Sequence, residues 1–268
     1  MIIDAHVHIS LYGDNAKTLE GAFEKLMRDM AKNDVGYAIV IPDNLEGLSN
    51  IADLDKAREL IKGHDNLFLL GSPQIIQRGD SEASKYEELL KLKTIKGLKF
   101  FPGHDTYYPT NENCDAYYKI ASEFNVPVVF HTGINSDHPE VSKYNDPKHI
   151  VEVAKKYPEL KVVITHYFWP EMEYCYEVTK DISNIYFELA AMGDPEVIKA
   201  TGGIEKVTEV LGKTIKDRPR QVVFGTDWPM CRIEDHVSLV KGLGLSNQEE
   251  KNIFFNNAVE VYNLPLVS

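Results

Sequence analysis

His6 and His8, one residue apart, end a short apolar run that opens the chain, Ile2-Ile3-Asp4-Ala5-His6-Val7-His8. In an extended strand, side chains at i and i+2 share a face, so both imidazoles can aim at one point. Imidazole is a common ligand for Zn2+ and similar ions, and two on one rigid strand supply half of a tetrahedral shell. The spacing alone says little, because a solvent-facing strand can carry the same pair. Three residues elsewhere add weight, each just past an apolar run: His131 in Val128-Val129-Phe130-His131-Thr132-Gly133, His166 in Val162-Val163-Ile164-Thr165-His166, and Asp227 in Val222-Val223-Phe224-Gly225-Thr226-Asp227-Trp228-Pro229. Neutral imidazoles with a carboxylate and no thiolate suit zinc or another borderline divalent ion and leave no role for an iron–sulfur cluster.

Residues so far apart in sequence need a frame that gathers strand ends. Eight apolar runs are candidate strands: Ile2–His8, Gly36–Ile41, Leu67–Gly71, Ile95–Phe101, Val126–Phe130, Val162–Thr165, Ile185–Leu189 and Val222–Gly225. Amphipathic segments separate them, among them the stripe of Leu19, Phe23, Leu26, Met27 and Met30, and a last segment, Gln248–Tyr262, closes the chain. Such alternation implies parallel pairing through right-handed crossovers. Eight units in 268 residues predict a (β/α)8 TIM barrel forming one α/β domain over residues 1–268. The competing open sheet lacks its marks, since no GxGxxG follows the first strand and no GxxxxGK[ST] occurs. In a barrel, the residues past each strand end converge on one mouth. The long loops Pro102–Asn113 and Gly133–Asp146 would lie there too, where they can cover a pocket.

Composition narrows the partners. A formal net charge of -12 argues against nucleic acid and anionic membranes, leaving a small-molecule substrate. No apolar run approaches the roughly 20 residues of a membrane-spanning helix, and no secretory signal opens the chain, so a cytoplasmic location is expected. Cys114, Cys175 and Cys231 are scattered, without a CxxC, and read as small apolar residues. A GxSxG elbow is absent, as is a strand-end cysteine with a nearby histidine, so no protein nucleophile stands out. Oligomeric state stays open, a homodimer being the common assembly of soluble enzymes.

With His6-Val7-His8, Phe130-His131-Thr132-Gly133, Thr165-His166 and Gly225-Thr226-Asp227-Trp228-Pro229 in this order, the sequence resembles the amidohydrolase superfamily. The similarity is greatest to the amidohydrolase-related branch that contains aminocarboxymuconate semialdehyde decarboxylase with related hydrolases, decarboxylases and hydratases. It runs from Asp4 to the closing Asn256-Asn257-Ala258 and Tyr262. The resemblance implies that His6, His8, His131 and Asp227 hold one divalent ion and that His166 acts as acid or base beside it. An ion with an open position lowers the pKa of water towards neutrality, and Asp227 or His166 would carry the protons. The implied reaction is hydrolysis of an amide, ester or lactone. The alternative on the same site is decarboxylation of an aromatic or unsaturated acid.

Lys99, in Gly97-Leu98-Lys99-Phe100-Phe101-Pro102, sits among apolar residues near the end of the fourth strand. The resemblance leaves three readings: a carboxylated lysine bridging a second ion, an unmodified lysine pairing a substrate carboxylate or Glu188, or an outward lysine reaching solvent between helices. Glu188 on the seventh strand is a candidate substrate or supporting group. Arg232 is a candidate anion binder. His104, Tyr107, Tyr108, Phe168 and Trp169 are candidates for the pocket wall. His64, His138, His149 and His236 are expected at the surface.

Overall fold

All eight apolar runs become strands in the computed structural model, which describes residues 1–14, 16–134 and 138–266. They are β1 (Ile2–Val7), β2 (Val35–Val40), β3 (Leu67–Leu69), β4 (Leu98–Phe100), β5 (Pro127–Phe130), β6 (Lys161–Thr165), β7 (Ile185–Glu188) and β8 (Val222–Val223). Neighbours pair in parallel as β1-β2-β3 and as β4-β5-β6-β7-β8. Backbone bonds outside the regular ladders join the two groups. Gly71 N donates to Gly97 O at 3.0 Å and Lys99 N to Gly71 O at 2.7 Å, which seals β3 to β4. Ala5 N donates to Phe224 O at 3.0 Å, Asp227 N to His6 O at 2.9 Å and His8 N to Trp228 O at 2.7 Å, which seals β8 to β1. The sheet therefore closes into a (β/α)8 barrel without a free edge.

Most strands are shorter than the apolar runs that encode them, β4 most of all. Its run stays paired below the regular ladder, where Lys96 N donates to Leu69 O at 2.8 Å, so the difference is one of regularity and not of path.

Two apolar layers form. Ile3, Ala5, Ile39, Phe68, Val129, Val163 and Val223 fill the lumen together with Phe255, Ala258, Val261 and Tyr262 of the closing segment. Val7, Ile9, Val40, Val128, Val162 and Phe187 face outward against helices such as Leu19–Lys32, whose buried stripe is Leu19, Ala22, Leu26 and Met30. The β1/β2 register shifts between Asp4 and Val7. Such an irregularity changes which residues face inward. Ile3 and Ala5 point into the lumen below it, while above it His6 and His8 take the inner face and Val7 and Ile9 the outer one.

The closing helix is not uniform. Asn247–Lys251 begins with a capping box at Ser246 and Glu249, Asn252–Asn256 is a π turn, and Asn257–Val261 resumes the α-helix. Asn257 Nδ2 donates to Pro219 O at 3.0 Å and to Val222 O at 2.7 Å, tying this segment to the start of β8. Asn257→Ala is expected to cost about 2 kcal/mol, because buried carbonyls lose their donor. Thermal unfolding should shift down by roughly 4–8 °C. An unchanged midpoint would show that the tie carries no stability.

Among the described residues, no helix is long and apolar enough to cross a membrane. The three cysteines are buried and free. One surface expectation is corrected: His236 is only 1% exposed. It shares the inward stripe of Ile233–Gly242 with Ile233, Leu239 and Val240, and its Nδ1 bonds Arg232 O at 2.9 Å. The 3.6-residue period of that stripe was the signal. His138 is exposed, and His64 and His149 are half-buried.

Candidate metal centre

Three acceptor atoms crowd together at the mouth. His6 Nε2 lies 3.1 Å from His8 Nε2 and 3.4 Å from Asp227 Oδ1, and His8 Nε2 lies 3.3 Å from the same oxygen. The other ring nitrogens determine what these atoms are. His8 Nδ1 meets Ile41 O at 2.9 Å, and a carbonyl only accepts, so the proton sits on Nδ1 and Nε2 presents a lone pair. His6 Nδ1 bonds Glu188 Oε1, while Glu188 Oε2 accepts from the Tyr262 hydroxyl at 2.9 Å. With Glu188 ionised, the His6 proton sits on Nδ1 as well. Two lone pairs and a carboxylate oxygen then face one another with no proton between them, an arrangement that repels unless a cation is shared. Their spacing matches the roughly 3.3 Å donor separation of a tetrahedral shell with bonds of about 2.0–2.1 Å. Among the described residues, His6, His8 and Asp227 are the group whose donor atoms converge in this way.

The fold holds this triangle from behind. Asp4 is fully buried and accepts from His6 N at 3.2 Å, Thr226 N at 3.0 Å and Thr226 Oγ1 at 2.7 Å, so one carboxylate fixes both strands that carry ligands. Gly225 lets β8 approach: a Cβ there would meet Glu188 Cγ at 2.9 Å and His6 Cβ at 3.1 Å. Asp227 has φ 73° and His166 has φ 61°, a left-handed conformation uncommon outside glycine. Such positions persist where surrounding structure enforces them, often at working sites.

Charge follows from burial and neighbours. Burial, then Lys99, holds the His6 imidazole well below its ordinary pKa. Burial likewise lowers His166 to about 3, only partly offset by Asp227. Burial pushes the Asp227 carboxyl up, but His166, His8 and His6 outweigh it and hold it well below the usual carboxylate range. Burial lifts Glu188 to about 7 against the pull of Lys99 and the Tyr262 hydroxyl. A cation at His6 Nε2 and an ionised Glu188 would therefore reinforce each other.

The other sequence candidates divide. His166 lies beside the triangle, its ring centroid 5.2 Å from that of His6 and its Nδ1 at 3.2 Å from Ala190 O. His131 stands outside the triangle, its ring packed against His104 at 4.2 Å and His166 at 4.8 Å. Burial, then His104 and His166, holds its imidazole well below the ordinary value. Lys99 is fully buried and lines the cavity, which removes the outward reading; its Nζ has one hydrogen bond, to Thr165 Oγ1 at 3.4 Å. Burial lowers it to about 8, opposed by Glu188 and Asp227. His104 and Trp169 line the mouth, whereas Tyr107 and Phe168 are buried in the outer core and Tyr108 packs against Tyr144 and His149. Arg232 is not brought to the site, because Glu234 and Asp235 hold its exposed side chain. Asp4 and Tyr262 escaped sequence reasoning as supporting groups, although an aspartate inside an apolar strand was a visible sign.

Two cavities of about 420 and 460 Å³ meet at His104, His131, His166, Asp227 and Met230. One is walled by Ile134, Val141, Trp169 and Val197, and the other holds His6, His8 and Lys99 beneath Asp43, Leu45, Leu48 and Asp105. The long loops after β4 and β5 contribute to these walls, with residues 135–137 of the second loop lying outside the described residues.

A family model described as Amidohydrolase matches residues 3–264. The chain belongs to the amidohydrolase family. No curated protein matches this amidohydrolase. Among solved structures, an uncharacterised TIM-barrel protein from Bordetella bronchiseptica superposes with a TM-score of 0.77 at 18% identity, covering 98% of each chain. A protein described as a 2-pyrone-4,6-dicarboxylic acid hydrolase from Pseudomonas putida gives 0.73 at 14% identity, covering 99% of this chain and 98% of its own. The 5-carboxyvanillate decarboxylase of Novosphingobium aromaticivorans, solved with manganese, gives 0.60 at 16% identity, covering 90% and 80%. These likenesses establish the shared barrel.

Proposed function

We propose that this amidohydrolase is a metal-dependent hydrolase of an amide, ester or lactone, with His6, His8 and Asp227 holding one divalent ion, zinc or manganese. The observation that carries the reading is the triangle of His6 Nε2, His8 Nε2 and Asp227 Oδ1 converging at the wall of a cavity. When bound, the ion supplies positive charge that polarises a carbonyl and lowers the pKa of water. The protein's own groups then manage the proton. His166 is neutral, and its Nδ1 faces a carbonyl, so Nε2 is free to accept a proton from an attacking water and return it to a leaving group. Asp227 stays ionised and is the second acceptor. Trp169, Ile134, Val141 and Val197 keep water from the body of the substrate.

Decarboxylation remains the second reading, favoured by Lys99: a buried ammonium without a close carboxylate partner, beside the triangle, suits a substrate carboxylate held near the ion. Product analysis separates the two, since only the lyase releases CO2. Protein purified without chelators should carry about one divalent ion per chain. Stripping it should lower the unfolding midpoint by roughly 8–16 °C, from about 4 kcal/mol of binding free energy at a thousandfold excess over Kd. Metal-free protein with an unchanged midpoint would end the metal assignment. Two ions with the mass of one CO2 on Lys99 would place the enzyme in the binuclear class.

A further inference from the structure

The segment that carries His166 turns with the uncommon hand. His166, Tyr167 and Phe168 have φ of 61°, 52° and 55°, so three consecutive residues with bulky side chains lie in the left-handed region. Single residues visit that region but runs are rare, because each Cβ crowds the following carbonyl oxygen. Such a run persists only where its surroundings fix it. The turn follows the last residue of β6, and it delivers His166 to the junction of the two cavities and Trp169, three residues on, to the wall of one.

What fixes the turn can be traced bond by bond. On its outer side the Tyr167 hydroxyl bonds Thr214 Oγ1, and the Tyr167 ring stacks on Phe187 at 4.6 Å. At its exit, Ile134 N donates to Trp169 O at 2.9 Å. Between these, one side chain spans the turn: Thr132 Oγ1 donates to Thr165 O at 2.5 Å, immediately before His166, and accepts from Phe168 N at 2.9 Å, two residues after it. Thr132 is 1% exposed, so water does not stand ready to replace its hydroxyl at either backbone group. We propose that Thr132 is a positioning residue, whose hydroxyl clamps the end of β5 to this turn and thereby holds His166 Nδ1 against Ala190 O with Nε2 toward the mouth. The inference deepens the proposed function and rests on His166 as the group that carries the proton, but not on which bond the enzyme cleaves.

Thr132→Val keeps the branched shape and removes both bonds, whereas Thr132→Ser keeps the hydroxyl. The two variants and the unaltered protein, each with zinc added, separate the clamp from packing. Nitrogen NMR of isotopically labelled histidine reads the His166 tautomer, its signal being the one that His166→Ala removes. The unaltered protein and Thr132→Ser should show a fixed Nδ1–H imidazole. Thr132→Val should shift the signal to a mixture of the two neutral tautomers, because the Ala190 bond that selects one of them is released. Hydrolysis of 4-nitrophenyl acetate should follow the same order, with kcat lower by about 10-fold or more in Thr132→Val and KM within about 3-fold. In the unaltered protein the Phe168 amide should exchange its hydrogen at least about 100-fold more slowly than an unstructured amide. Exchange at the unstructured rate overturns the proposal even if Thr132→Val does not fold. A folded Thr132→Val with the His166 signal or kcat unchanged overturns it too, as does Thr132→Ser behaving like Thr132→Val. A His166 tautomer that responds to Thr132 in a protein that hydrolyses no ester would instead count against the hydrolase reading and leave the clamp standing.

Discussion

Asp227→Asn is expected to reduce turnover by about 10³-fold or more while the barrel stays folded. Asparagine has the shape of aspartate, and both tolerate the left-handed conformation that Asp227 adopts at φ 73°. Its backbone N can still donate to His6 O across the β8/β1 seam. What disappears is charge: the oxygen 3.3 to 3.4 Å from two imidazole lone pairs no longer belongs to an anion, and no carboxylate remains to take a proton. The ion should bind more weakly but stay detectable, since His6 and His8 are untouched. Turnover of whichever substrate the enzyme accepts, metal content and unfolding midpoint should be measured together. An unfolding midpoint near that of the parent with activity lost identifies a chemical role. Activity within tenfold of the parent would mean that Asp227 is a structural residue of the turn before Pro229.

Much of this architecture was legible in the sequence because a barrel repeats one simple pattern. Short apolar runs separated by amphipathic segments allow few arrangements, and the polar residue after each run must then lie at the mouth. His6, His8, His166 and Asp227 were singled out in that way, and all four line one cavity. The difficulties share a physical cause, which is that sequence spacing says where a residue sits along a strand but not where its side chain ends. His131 follows β5 as expected, yet its ring packs between His104 and His166, outside the triangle. Arg232 is close to Asp227 in sequence, but it precedes a helix whose first turn holds Glu234 and Asp235, and they capture its side chain. Tyr262 reaches Glu188 from the closing helix, a pairing 74 residues long that no local pattern encodes. The register shift within β1 is equally invisible, although it sets which face His6 and His8 occupy.

The same reasoning makes Asp4 the most informative position away from the substrate. Asp4→Ala should cost about 4 kcal/mol and lower the unfolding midpoint by roughly 8–16 °C. Three buried donors lose their acceptor at once: His6 N, Thr226 N and the Thr226 hydroxyl. They belong to the strand that carries two candidate ligands and to the turn that carries the third. The effect should therefore extend to the ion, with affinity weakened by about 10-fold or more, as for other groups that orient metal ligands from behind. Thr226→Val is the control. It removes only the hydroxyl, which bonds Asp4 Oδ2 and accepts from Trp228 N, and leaves both backbone donors with Asp4. That variant should lose about 1 kcal/mol. If Asp4→Ala proved no worse than Thr226→Val in stability or metal affinity, the seam's other bonds, from Ala5, His8 and Asp227, would suffice to hold the site. If the two separate as expected, a single carboxylate buried in β1 closes the barrel and sets the distance between the metal's ligands.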